Sequence, residues 1–110
     1  MIHTEKQIEN LVKRLLSDIE REYYENRTMY ITYKGEIELR QYKKTIAKGW
    51  LVNVPVHDDQ FNKEESEFII IYVNDETLEF EAYLDCSMGR PVPMIAKKMD
   101  NGKYGLGFPQ

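Results

Sequence analysis

A chain of 110 residues, 42% hydrophobic and 31% charged, has the size and composition of one globular domain, taken as residues 1–110. The net charge of −4 argues against nucleic acid as a general partner, and the single cysteine, Cys86, excludes an internal disulfide and fits a reducing compartment. The longest apolar run, Phe68 to Val73, is far short of the roughly 18 residues a membrane helix needs. Met1-Ile2-His3-Thr4-Glu5-Lys6 carries no basic-then-apolar leader pattern, so the expected setting is the cytoplasm, away from membranes.

Ile8, Leu11, Val12, Leu15, Leu16, Ile19 and Tyr23 follow the spacing of one helix face. Thr4 and Gln7 read as a capping box, and Glu5 adds negative charge to the first turn. The spacing predicts a helix over 5–24, with Asn26 as its stop. His3 precedes it and is expected to fray.

The period then changes to 2. Met29, Ile31 and Tyr33 alternate with Tyr30 and Thr32, Lys34-Gly35 offers a tight turn, and Ile37 and Leu39 alternate with Glu36, Glu38 and Arg40. This reads as a hairpin. Gln41 to Lys48 is a basic connection, and Trp50 to Val54 a strand whose end is marked by Pro55. His57 to Glu65 is a polar loop. Phe68 to Val73 and Leu78 to Leu84 form a second hairpin around Asn74-Asp75-Glu76-Thr77. Met94 to Met99 and Tyr104 to Phe108 form a third, around Asp100-Asn101-Gly102-Lys103.

The order lacks βαβ alternation. It predicts an α+β fold in which an N-terminal amphipathic helix packs on an antiparallel sheet of about five to seven strands. The strand 68–73 is apolar on both faces, so its second face needs a cover, either the C-terminal hairpin or another chain. Leu11, Leu15, Ile19, Phe80 and Leu84 are expected to share the helix-side core.

No grouping of residues reads as a catalytic centre, a metal site or a cofactor site. His57-Asp58-Asp59 offers three ligand types, but neighbours on an extended chain diverge and no second cluster completes a shell. Cys86-Ser87-Met88-Gly89-Arg90 has a thiol and a guanidinium only four positions apart, with Asp85 before the cysteine. An adjacent carboxylate disfavours a thiolate, so Cys86 is not expected to be a nucleophile. The pairs Glu79/Glu81 and Glu64/Glu65 lack the cleft and the sugar-gripping residues of a glycosidase.

Charge is unevenly spread. Residues 56–85 hold ten acids against the single base Lys63, a pattern that fits a partner of opposite sign as well as a solvated sheet face. In the second hairpin Glu79, Glu81, Tyr83 and Asp85 alternate with Leu78, Phe80, Ala82 and Leu84, so the first set is expected to project outward as a partner-binding face. Eight tyrosines, with Tyr30, Tyr42, Tyr83 and Tyr104 expected at the surface, supply contact area at low entropy cost.

The helix, the strand Gly49-Trp50-Leu51-Val52-Asn53-Val54 and the hairpin from Phe68 to Phe80 together resemble the cystatin-like helix-on-sheet modules, among them PepSY-like domains and small bacterial toxin-immunity proteins. The likeness spans about two-thirds of the chain, and a likeness of fold does not carry function with it. The acidic face leads instead to the expectation of a non-enzymatic protein-binding module, most concretely an immunity or inhibitor protein that neutralises a basic toxin through that face. The alternative is a small-molecule-binding or enzymatic module with a pocket between helix and sheet, lined by Trp50, Phe80 and tyrosines. A structural homodimer joined across the second sheet face is the third class.

Overall fold

In a computed structural model, residues 2–23, 28–56, 67–86 and 91–108 are described. The first helix, α1 (Glu5–Asp18), begins as its sequence dictates: Thr4 Oγ1 accepts from the Gln7 amide, and Gln7 Oε1 accepts from the Thr4 amide. It ends earlier than its apolar stripe. Glu20 turns left-handed at φ 56°, its amide bonds Ser17 O, and the Arg21 amide bonds Leu16 O. That pair of bonds is a Schellman stop, built without the glycine that usually marks one. The expected stop at Asn26 lies outside the described residues.

Among the described residues six strands follow: β1 (Tyr30–Leu39), β2 (Lys44–Val56), β3 (Glu67–Asn74), β4 (Phe80–Asp85), β5 (Val92–Lys98) and β6 (Tyr104–Gly107). They lie side by side in chain order, every pair antiparallel. This is an α+β helix-on-sheet architecture whose element order agrees with the cystatin-like topology. No helix among the described residues is long and apolar enough to cross a membrane.

The first hairpin differs from expectation. Lys34-Gly35 is no turn: β1 continues through it and pairs with β2 on both sides of it. Gly35, at φ 75°, sits instead at a pair of register shifts, which is how a lone glycine inside a strand accommodates a bulge. It lies opposite Gly49, over which the side chains of Ile37 and Ile46 close; a methyl group on Gly49 would meet both within 2.6 Å. The ribbon therefore bends there. The true turn is a short 3₁₀ segment, Arg40–Tyr42, closed by Lys43 at φ 52°, and most of the expected basic connection belongs to β2.

That bend covers part of the second sheet face. Leu39 and Ile46 pack with Ala82, joined by Ile37, Tyr42 and Tyr72. The Tyr42 hydroxyl reaches across to the β4–β5 pair. It accepts from the Tyr83 and Met94 amides at 3.1 and 3.0 Å and gives its hydrogen to one of their carbonyls. So this chain's own first hairpin supplies that part of the cover, over Tyr72 and Ala82.

The main core lies between α1 and the other face. Ile8, Val12, Leu15 and Leu16 meet Trp50, Val52, Val54, Ile69, Ile71 and Val73, with Phe80 and Tyr83 from β4. Leu11 and Ile19 pack at its margin. Leu84 belongs elsewhere. Between Ile71↔Tyr83 and Val73↔Phe80, β4 has one residue more than β3. The extra residue, Glu81, is a bulge that resets the alternation. Phe80, Tyr83 and Asp85 pair on the helix side, while Ala82 and Leu84 pair with Tyr72 and Ile70 on the opposite face.

Candidate functional site

The bulge scatters the four residues expected to form an acidic contact face. Glu79 is exposed just before β4. Glu81 is half-buried, its carboxylate 3.5 Å from Lys44 Nζ. Tyr83 is only 1% exposed, inside the helix-side core. Asp85 is half-buried, 4.0 Å from the Arg21 guanidinium. Tyr83 therefore does not project outward, and the four share no common face. Of the other tyrosines, Tyr30 is exposed, Tyr42 is half-buried by its bridging role, and Tyr104 stands edge-on to Phe80 with the Arg14 guanidinium over its ring. Burial, then the Asp85 charge, pushes the Tyr83 hydroxyl up to about 12.

Cys86 is half-buried, and burial followed by the neighbouring Asp85 pushes its thiol up. At neutral pH little of it is thiolate. A thiol-reactive probe is accordingly expected to label Cys86 more slowly than a free model thiol; faster labelling would overturn this reading. Ser87 to Arg90 and His57-Asp58-Asp59 lie outside the described residues. Among the described residues, no three His, Cys, Asp or Glu side chains converge as metal ligands would.

Among the described residues one charged side chain is buried outright. Asp75, in the β3–β4 turn, is sealed from solvent. Its Oδ1 accepts from Trp50 Nε1 at 2.8 Å and the His3 amide at 3.1 Å, and its Oδ2 from the Ile2 amide at 2.6 Å. Burial alone would raise the Asp75 pKa, but the donors outweigh it and hold the carboxyl at about 2. His3 Nδ1 lies 2.8 Å from the Asp75 carbonyl, so Ile2 and His3 are pinned to the sheet and not frayed. Trp50 gives its only polar atom to this clasp and is 1% exposed. It does not line an open pocket between helix and sheet.

The open ground is at the other end of the sheet. Among the described residues six large apolar side chains are exposed, and four of them, Ile95, Met99, Leu106 and Phe108, belong to the β5–β6 hairpin or its flanks. For Ile95 and Met99 the exposure has a sequence cause. Ile95 stands opposite Gly107 and Lys97 opposite Gly105, so β6 presents no side chains to the row formed by Ile95, Lys97 and Met99. The result is a shallow groove of about 640 Å³ with bare β6 backbone as its floor. At Ile95 it adjoins a smaller hollow of about 300 Å³, edged by Tyr42, Lys43, Lys44 and Glu81. Lys44 is engaged by Glu81, whereas Lys43 and Lys97 have no acidic side chain within 4.0 Å among the described residues. Sequence reasoning took Tyr104 to Phe108 only as one arm of the terminal hairpin; the available signal was Gly105 and Gly107 at every second place. No family model matches this chain, and no curated protein or solved structure does either.

Proposed function

We propose that the chain is a non-enzymatic protein-binding module whose contact surface is the C-terminal hairpin. The observation that carries this reading is a groove lined by the exposed Ile95, Met99 and Phe108. Contiguous exposed apolar surface favours a partner, because water gains when it is covered. The filled layer between α1 and the sheet, with Trp50 spent on Asp75, favours this over a ligand pocket in that layer. An immunity or inhibitor protein is the most concrete form of the proposal, since such a protein acts by seating on its target. The contact moves, however, from the β4 acids to the hairpin: Glu81 and Asp85 already face cations of their own chain.

The experiment is a comparison of two baits. Met99 and Phe108 are 51% and 72% exposed, so Met99→Asp with Phe108→Asp should leave the fold intact. Proteins from the source cell captured by the wild type and lost to the double variant are purified, and binding is measured by calorimetry. A partner that binds the wild type and not the variant is the expected result. A purified partner that binds both alike removes the hairpin as the contact surface.

A further inference from the structure

Resting on the reading just given, we infer that the groove over Gly105 and Gly107 takes an acidic, extended segment of a partner protein, with bulky apolar side chains seated over the two glycines. Three observations lead there. First, the floor has room for side chains it does not own: a Cβ at Gly107 would meet nothing within 4 Å, and one at Gly105 would meet only the Met99 side chain, at 3.2 Å from Cγ and 3.4 Å from Sδ. Cross-strand neighbours of strand residues are the natural unit of contact on a sheet, and here one member of each pair is missing. The complementary ligand supplies it, at every second residue of an extended chain.

Second, the charge is local and positive. The hairpin segment 92–108 carries Lys97, Lys98 and Lys103 against the single acid Asp100, in a chain of net charge −4. Lys97 lines the groove itself and Lys43 the adjoining hollow. Residues between the apolar anchors of the ligand then do best as Asp or Glu. The same charges disfavour a second copy. A two-fold pairing of this hairpin with itself would set the same lysines against one another.

Third, the two sheet edges are unlike. β1 presents Lys34, Glu36 and Glu38 along its length, with two register shifts, the usual defences of an edge strand. β6 has neither charge nor bulge. Asp18 Oδ2 takes the Tyr104 amide at 3.0 Å, which shows that residue 104 turns its backbone away from β5. Alternation then turns Leu106 the same way, leaving its N–H and C=O at the rim of the groove.

The test uses a displayed library of random peptides panned on the full chain, on Gly107→Ile and on Lys97→Glu with Lys43→Glu. Peptides enriched on the wild type are expected to interleave Asp or Glu with aromatic or aliphatic residues. Gly107→Ile should abolish their binding while holding or raising Tm, because a β-branched residue opposite Ile95 suits a strand pair. The charge reversal should weaken them about tenfold at low salt. Enriched peptides that are basic, or that bind Gly107→Ile as well as wild type, would overturn the inference. So would a concentration-dependent dimer in analytical ultracentrifugation that Gly107→Ile dissociates, since the groove would then hold a second copy. If the two baits above still differ in partner binding while the library ignores Gly107→Ile, the binding-module reading stands and the acidic-segment inference falls.

Discussion

Leu15→Ala is expected to cost roughly 2–5 kcal/mol of stability and to lower Tm on the order of 10 °C. Leu15 is fully buried at the centre of the α1 stripe, between Ile8 and Val12 on one side and Leu16 on the other, against β2 and β3. Removing its branched end leaves a cavity that neighbours already at their closest packing refill only in part. Leu11→Ala, at the margin of the same core, should cost visibly less. Leu84 provides a sharper check. It lies on the opposite face of the sheet from Leu15, so the costs of Leu15→Ala and Leu84→Ala should add in the double variant. Urea melts followed by the fluorescence of Trp50, the only tryptophan, report all of these. A Leu15→Ala melt superimposable on wild type would show that the helix stripe is not the core.

Local rules serve the fold well where one residue type has one meaning. The α1 stripe, its Thr4/Gln7 cap, the Asn101-Gly102 turn with Gly102 at φ 83° and the antiparallel order all follow from spacing. They fail where a residue allows two outcomes. A glycine in a strand pattern fits a turn or a bulge, and Gly35 takes the bulge because Gly49 stands opposite and lets Ile37 and Ile46 close over it. Glu20 ends the helix although nothing in its chemistry asks for a left-handed residue; the two Schellman bonds and the packing of Ile19 and Tyr23 on the core offset the cost. The phase of β4 is lost for a similar reason. Alternation assumes no bulge, and the single extra residue at Glu81 puts Tyr83 inside.

The candidate site is less legible than the fold, because exposure depends on what other elements cover. Tyr42 and Ile95 carry no local mark that separates them. One reaches over β4 and β5 from the bent hairpin, and the other lies just beyond that cover. Asp75 is the extreme case. In sequence it is one of two adjacent acids in a turn, indistinguishable from Glu76. In the fold Glu76 is exposed beside Lys48, whereas Asp75 is buried beneath donors 25, 72 and 73 residues away.

Asp75→Ala is therefore expected to be as damaging as a core truncation, roughly 2–5 kcal/mol, since it strands the buried Trp50 Nε1–H and frees the residues before α1. Asp75→Asn keeps one carbonyl oxygen for Trp50 but turns an N–H₂ toward a backbone amide, so it should cost less than alanine yet remain below wild type. The pH dependence separates charge from shape. The folded carboxyl titrates at about 2, below its ordinary value of 3.8. The unfolded state then binds the proton first as pH falls, and stability from this group is full above about 3.8 and lost as pH drops toward about 2. Asparagine has no such proton, so the stability of Asp75→Asn should fall less steeply across that window, and its curve should approach the wild-type curve at the acid end. Hydrogen exchange at the Ile2 and His3 amides should speed up in Asp75→Ala at neutral pH, where wild type protects both. Parallel acid limbs for wild type and Asp75→Asn would mean that the ionised carboxylate is not what holds the clasp.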